Sequence, residues 1–204
     1  KSAMSETLGT TDNRATAGLA RLYQTWAEGG TGLLISGNVM VDGRHLGEPN
    51  NVVLEDDRDL DAIRRWAKAG TVNKTQLWMQ LNHPGKQTPK LLTTQSVAPS
   101  AIPFRKDMQS FFNTPRALTE AEILDIIARF GRSAALEKQA GFSGVQIHGA
   151  HGYLVSQFLS PHHNQRQDQW GGSLENRMRF AVEVYKSIRA QVGKDFPIGI
   201  KLNS

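Results

Sequence analysis

The stretch VQIHGAHGYLVSQFLSPHHNQRQDQWGGSLENRMRF, residues 145–180, decides how the rest of this chain is interpreted. A short apolar run from Gly144 to Ile147 opens it and is typical of a buried strand. His148 and His151 follow at the carboxyl end of that run, and Tyr153 comes two residues later. We expect a tight glycine-rich turn to direct both imidazoles and the phenol into one pocket. Titratable groups at the carboxyl end of a strand are typical of the catalytic face of an α/β barrel.

The composition is that of an ordinary globular protein and excludes several classes of site. Of 204 residues, 39% are hydrophobic and 21% are charged, and there is no cysteine for a disulfide or a thiol nucleophile. No apolar run is long enough for a membrane span. The net charge of +5 comes without a basic run that carries interleaved aromatics. We therefore expect a cytoplasmic protein without nucleic-acid or membrane partners, and a homo-oligomer is left open.

Apolar runs and helical spacings alternate along the whole chain. The spacing predicts helices over 14–28, 57–69, 119–141 and 173–192, with a capping box at Thr119 and a stop at Gly141. Strands are predicted over 32–37, 75–82, 144–147 and 198–203, and residues 1–5 are interpreted as the tail of a further strand. Residues 83–117 form a long proline-rich irregular stretch.

Alternating strands and helices predict an α/β protein with a parallel sheet. No G-x-G-x-x-G follows the first strand, and polar residues lie at the carboxyl ends of the strands, so a (β/α)8 TIM barrel is favoured over a doubly wound sheet. Such a barrel typically needs about 250 residues. We therefore expect residues 1–204 to be a single partial barrel domain, a truncated N-terminal portion of about five β/α units.

Three polar features leave alternatives open on residue chemistry alone. His148 and His151, with His162 and His163 nearby in sequence, fit a metal site, structural histidines, or a clamp for an anion or carbonyl. Gln80 lies inside an apolar strand, where it is either satisfied by backbone or binds a ligand. Lys201 interrupts the apolar run IGIKLN, where it either reaches solvent or pairs with an anionic group.

Two motifs resemble one known family. The pattern H-x-x-H-G-Y-L-x-x-Q-F-L-S-P followed by N-x-R-x-D-x-x-G-G-S-x-E-N-R-x-R-F, and the pattern Q-L-x-H-x-G-[KR]-Q at 80–87, are similar to those of the old yellow enzymes, which are flavin-dependent ene-reductases. The resemblance implies bound FMN and a reduced nicotinamide, NAD(P)H. Hydride would pass through the flavin N5 to the β-carbon of an α,β-unsaturated carbonyl, a small-molecule enone. The loops that bind the FMN phosphate are expected to lie outside these 204 residues.

The resemblance also implies a role for individual residues. His148 and His151 would hold the substrate carbonyl, and Tyr153 would protonate its α-carbon. The flavin would be contacted by six residues, which are Ala3, Met4, Ser5, Gly37, Gln80 and Lys201. The segment from Arg166 to Arg177 is interpreted as structural. Two departures concern specificity: many members carry Asn where this chain has His151, and some carry Tyr where it has Thr7.

Three alternatives remain beside the ene-reductase hypothesis. A dienoyl-CoA-reductase-like relative would share this barrel and continue into iron–sulfur and second flavin domains. A metal-dependent barrel hydrolase would use the two histidines with a carboxylate, although no third ligand at suitable spacing supports a metal site. A non-catalytic barrel fragment would only bind a ligand or a partner chain.

Overall fold

The computed structural model describes residues 1–203, which form six strands and five α-helices. The strands are β1 (Leu33–Met40), β2 (Gln76–Asn82), β3 (Val97–Ala98), β4 (Arg116–Ala117), β5 (Gly144–Gly149) and β6 (Ile198–Leu202). The helices are α1 (Ala17–Glu28), α2 (Leu60–Gly70), α3 (Glu120–Ala140), α4 (Leu154–Leu159) and α5 (Leu174–Val192). The predicted β/α alternation is confirmed for β1, β2, β5 and β6, whereas β3, β4 and α4 are elements that the sequence patterns did not predict.

The main sheet is fully parallel, with the strand order β1-β2-β5-β6. Its register places four residues in one row across the sheet, which are Asn38, Gln80, Gln146 and Gly199. One step closer to the carboxyl ends, His148 is paired with Lys201. The polar side chains singled out from the sequence therefore share one end of neighbouring strands.

The strand predicted at residues 1–5 is not formed as a separate element, and this prediction was wrong in that respect. The Lys1 ammonium group donates to the Leu33 carbonyl at 2.8 Å, and the Ile35 amide donates to the Lys1 carbonyl at 3.0 Å. The first residue therefore bonds along the free edge of β1, and residues 2–8 leave that edge without forming a ladder.

Helix ends follow the capping residues of the sequence. Thr119 and Glu122 form the predicted capping box of α3, and Gly141 ends that helix with a left-handed φ of 102°. The Ser173 hydroxyl accepts from the Asn176 amide and begins α5. None of the helices in residues 1–203 is both long and apolar enough to cross a membrane.

The two faces of the sheet differ in character. Leu77, Met79 and Leu81 of β2 are fully buried, and they belong to one core cluster with Phe130 of α3 and other apolar helix residues. On the other face, the Trp78 ring lies against Gly144, where an added Cβ would come within 2.5 Å of the indole. Glycine at 144 therefore makes room for an indole that fills the inner face of the sheet, below the polar row.

Residues 83–117 are more ordered than the irregular stretch expected, because β3 and β4 form a short parallel pair within them. Two cations attach this segment to the rest of the domain. The buried Lys86 ammonium donates to the Ile102 carbonyl at 3.1 Å and contacts His163 Nδ1 at 3.1 Å. The Arg166 guanidinium donates to the carbonyls of Pro99 and Leu118, at 3.0 and 2.6 Å.

Candidate active site

His148, His151 and Tyr153 lie together at the carboxyl end of β5, as the sequence predicted. The His148 and His151 ring centroids are 5.3 Å apart, and those of His148 and Tyr153 are 4.8 Å apart. Both pairs are edge-to-face. The turn Gly149–Gly152 brings the three side chains into one cluster.

The protonation state of His148 follows from its surroundings. The Ala150 amide donates to His148 Nδ1 at 3.3 Å, so the neutral ring carries its proton on Nε2. Burial, followed by the nearby charges of Lys201 and His151, lowers the pKa of His148 to about 3. At neutral pH His148 is therefore a neutral imidazole that presents an N–H donor.

Tyr153 remains protonated over the whole physiological range. Burial raises the pKa of its phenol above the usual value of about 10, and the Glu48 carboxylate acts in the same direction. A phenol in this state is a donor of a hydrogen bond or of a proton. Because its ring lies next to that of His148, the cluster brings two hydrogen-bond donors close together.

The turn that carries these groups is held by hydrogen bonds from two other loops and from α4. His151 has a left-handed φ of 57°, a conformation that costs a non-glycine residue free energy. Its amide donates to Asn203 Oδ1 at 2.9 Å, and its carbonyl accepts from the Gln87 amide group at 2.7 Å. The fully buried Gln157 amide group donates to the carbonyls of Gly152 and Pro84. These contacts fix the positions of the imidazoles and the phenol.

Gln80 and Lys201 occupy the inner face of the same sheet. Gln80 is 2% exposed, and its Nε2 donates to Gln146 Oε1 at 2.7 Å. Lys201 pairs in register with His148 and has no ion pair among residues 1–203. The buried Gln80 amide, with its carbonyl free, fits the edge of a flavin that carries N–H beside C=O. The Lys201 cation, which has no ion pair within the described residues, fits the anionic reduced form of a flavin. The residues present therefore fit the predicted cofactor.

The remaining predicted flavin contacts lie at β1. Above Gly37 the space is filled by the Met4 carbonyl, 2.7 Å from an added Cβ, and by the Glu6 carboxylate. The Ser5 hydroxyl donates to the Glu48 carboxylate, while Met4 is 68% exposed and Ala3 is half-buried. Residues 3–5 thus cross over Gly37, and the glycine is required by this close approach of the chain.

The dense signature after the cluster is structural, as interpreted from the sequence. Arg166 pairs with Asp168 at 2.6 Å while it bonds to the 83–117 segment. Arg177 instead donates to the carbonyls of Leu159 and Gly172, so this second arginine bonds to backbone rather than to a carboxylate. The segment connects loops, and none of its hydrogen bonds within residues 1–203 goes to the three clustered side chains.

Sequence reasoning missed two residues of the site, Gln146 and Asn203. A signal for both was present, because Gln146 lies two residues before His148 and Asn203 lies two residues after Lys201, so each pair shares a strand face. Among residues 1–203, no third histidine, aspartate or glutamate joins His148 and His151 at metal-ligand spacing. The described residues therefore offer a donor cluster here rather than a ligand set.

Comparison with known proteins identifies the fold and the family. The structure matches an old yellow enzyme homologue from Zymomonas mobilis with a TM-score of 0.89 and 30% identity, over 98% of this chain and 57% of that one. It matches a 2-naphthoyl-CoA reductase with a TM-score of 0.90 and 26% identity, over 98% of this chain and 32% of that one. The predicted fold class, a partial (β/α)8 barrel, is confirmed.

Sequence relatives agree with the structural matches. The NADH-dependent flavin oxidoreductase iliE of Hypocrea jecorina is 37% identical over 221 residues, covering all of this chain and 55% of that relative. The NADH oxidase of Thermoanaerobacter brockii is 39% identical over 208 residues, covering 98% of this chain and 31% of that relative. The chain therefore spans about half, or less, of the length of these relatives.

A family model described as NADH:flavin oxidoreductase / NADH oxidase matches residues 2–204. The names of the family and of its members support FMN as the cofactor and a reduced nicotinamide as the reductant, as predicted. This chain belongs to the NADH:flavin oxidoreductase / NADH oxidase family, and its resemblance to the old yellow enzymes is confirmed.

Proposed function

We propose that the protein containing this chain is an ene-reductase that uses FMN and NAD(P)H to reduce the C=C bond of α,β-unsaturated carbonyl compounds. The observation that carries this proposal is the cluster of His148, His151 and Tyr153, in which a neutral imidazole donor and a protonated phenol lie side by side at the carboxyl end of β5. When bound, FMN supplies hydride transfer between the nicotinamide and the substrate.

The two histidines bind and polarise the substrate carbonyl. When hydride adds to the β-carbon, negative charge develops on the carbonyl oxygen, and donors already aimed at that oxygen stabilise it. His148 supplies Nε2–H, because its Nδ1 is occupied by the Ala150 amide. Its low pKa keeps it a neutral donor, so binding does not depend on protonating the ring.

Tyr153 supplies the proton. Its phenol is part of the same cluster, and its raised pKa keeps the O–H intact until a strongly basic carbon is present. The proton leaves the phenol oxygen and forms the new C–H bond at the α-carbon, while the resulting phenolate is reprotonated from solvent. Hydride and proton together saturate one C=C bond, so the atoms and electrons balance.

The visible spectrum of the purified full-length protein tests this proposal under anaerobic conditions. A flavin band that bleaches with NADPH and recovers with cyclohexenone supports ene reduction. A flavin that is reduced by nicotinamide but reoxidised only by oxygen would contradict it. In that case the protein would be a flavin oxidase, consistent with the name of the Thermoanaerobacter relative.

A second candidate is reduction of an unsaturated acyl-CoA thioester in a larger enzyme. The match to a 2-naphthoyl-CoA reductase, of which this chain covers 32%, favours it. The same carbonyl clamp would then hold a thioester oxygen. Turnover of a 2-enoyl-CoA at a higher kcat/KM than cyclohexenone, together with iron in the full-length protein, would favour this candidate over the simple enone.

A further inference from the structure

Gln80 and Gln146 form an amide pair on the inner face of the sheet. They are register partners on β2 and β5, and the Gln80 Nε2 donates to the Gln146 Oε1 at 2.7 Å. Gln80 is almost fully buried, so an unpaired N–H at this position would cost free energy. Gln146 therefore removes one of the two amide hydrogens of Gln80 from the set that is available to a ligand.

The direction of this hydrogen bond decides what Gln80 offers. An amide pair can place the donor on either residue, because each side chain carries both a C=O and an NH2. With Gln80 as the donor, its carbonyl oxygen accepts no hydrogen bond from residues 1–203 and is free to accept one from a ligand. With the direction reversed, that oxygen would be occupied by Gln146 and only the NH2 group would face the ligand.

A flavin would bind better to one of these two arrangements of the Gln80 amide than to the other. Its pyrimidine edge carries the N3–H donor between two carbonyls, and N3–H needs an acceptor. We infer that Gln146 is a positioning residue of the flavin site, which holds Gln80 with its carbonyl oxygen available to the flavin N3–H. The role concerns the flavin site on which the proposed function rests, and it does not depend on ene reduction.

Two variants with opposite hydrogen-bonding capacity test the direction. Gln146→Glu offers only acceptors to Gln80 and keeps the observed direction, whereas Gln146→Lys offers only donors and reverses it. The readout is the ratio of dissociation constants of the full-length apoprotein for 3-methyl-FMN and for FMN, measured by flavin fluorescence. Because 3-methyl-FMN lacks N3–H, this ratio reports the acceptor that faces N3.

We expect the wild type and Gln146→Glu to prefer FMN over 3-methyl-FMN by about fivefold or more. A preference of this size corresponds to the free energy of one hydrogen bond. In Gln146→Lys, and in the uncharged Gln146→Leu, the preference should fall below about twofold. Gln76→Leu, an exposed glutamine of the same strand, is the matched control and should keep the wild-type preference.

A purely structural role would change both dissociation constants together and leave their ratio constant. An equal ratio in the Glu, Lys and Leu variants would therefore overturn the inference, as would failure of the wild type to prefer FMN. If Gln146→Leu does not fold, comparison of Gln146→Glu with Gln146→Lys still tests the direction of the hydrogen bond between Gln80 and residue 146. If the wild-type protein prefers FMN as expected but does not reduce enones, that result would count against the proposed function and not against the role of Gln146.

Discussion

His148 and His83 adopt the same local hydrogen bond, and both are almost fully buried, but they have different neighbours. In both, Nδ1 accepts the amide N–H two residues later, from Ala150 at 3.3 Å and from Gly85 at 3.1 Å. Each neutral ring therefore carries its proton on Nε2. The His148 ring packs against His151 and Tyr153. The His83 ring packs against His45, and its Nε2 is buried with no hydrogen-bond partner among residues 1–203.

The comparison shows that the local turn determines which ring nitrogen carries the proton, whereas the neighbouring side chains determine what role the histidine can have. His83 lies near Asp42 and His45, and one ligand atom from each of the three lies within 4.8 Å of the others. A metal-bound histidine normally donates its second N–H, but His83 Nδ1 already accepts one. This trio is therefore poorly suited to hold a metal, and His83 serves the loop after β2 while His148 serves the site.

The largest expected effect is on the rate of enone reduction, and it comes from Tyr153, a neighbour that His148 has and His83 lacks. Tyr153→Phe should slow enone reduction by at least about a hundredfold, because it removes the proton donor beside His148. Flavin reduction by nicotinamide should be unchanged, and stopped-flow absorbance separates the two half-reactions. Tyr185→Phe, on the exposed face of α5, is the control. Equal enone rates in the wild type and Tyr153→Phe would remove the phenol from the mechanism.

A smaller effect is expected on binding of phenols, which resemble the enolate. His148→Ala combined with His151→Ala should weaken binding of a para-substituted phenol by about tenfold to a hundredfold, because two imidazole N–H donors are lost. His45→Ala, beside His83, should leave that affinity unchanged. His151→Asn should also retain it, since Asn keeps an N–H donor. Flavin difference spectra give the dissociation constants, and an unaltered constant in the double variant would refute the clamp.

The low pKa values of both histidines predict how stability depends on pH. Burial lowers the pKa of His148 and of His83 to about 3, against 6.5 in an unfolded chain. Between pH 6.5 and 3 these two histidines bind protons in the unfolded state that they do not bind in the native state. Their contribution to stability is therefore lost as pH falls through this window and is constant above it.

Each histidine should contribute up to about 1.4 kcal/mol per pH unit to that slope. His148→Asn should therefore flatten the slope by this amount, as measured by urea unfolding at pH 6.5, 5.5 and 4.5. The lowered pKa of Asp42 acts mainly near and below its usual value of 3.8, and so below the lowest pH of these three measurements. An equal slope in the variant and the wild type would show that His148 titrates normally in the folded protein.

Local signals in the sequence predicted much of the fold. The capping box at Thr119, the left-handed Gly141 and the Ser173 cap set helix ends through contacts within four residues, so periodicity and cap chemistry were sufficient. Residues 1–5 and the β3–β4 pair were mispredicted, because strand pairing depends on which distant segment offers a free edge. No local pattern contains that information.

In the candidate site too, the residues fixed by local sequence could be predicted and those fixed by distant contacts could not. His148, His151 and Tyr153 were predictable because one turn carries all three. The Gln146 hydrogen bond to Gln80 joins residues 66 positions apart, and the Asn203 bond to His151 joins residues 52 apart. These contacts depend on strand register, which a single sequence specifies only through alternation.

The smallest expected effect comes from making the same substitution at both histidines. Asparagine keeps an acceptor for the amide two residues later, as in an Asx turn, but is shorter than histidine. His83→Asn should therefore cost only about 1 kcal/mol of unfolding free energy and leave phenol affinity unchanged. His148→Asn should weaken phenol binding measurably at a similar cost in stability. Urea unfolding and phenol titration of both variants give a two-by-two comparison. If His83→Asn weakened phenol binding as much as His148→Asn does, the two turns would not be functionally distinct, and His83 would have to be counted with the site.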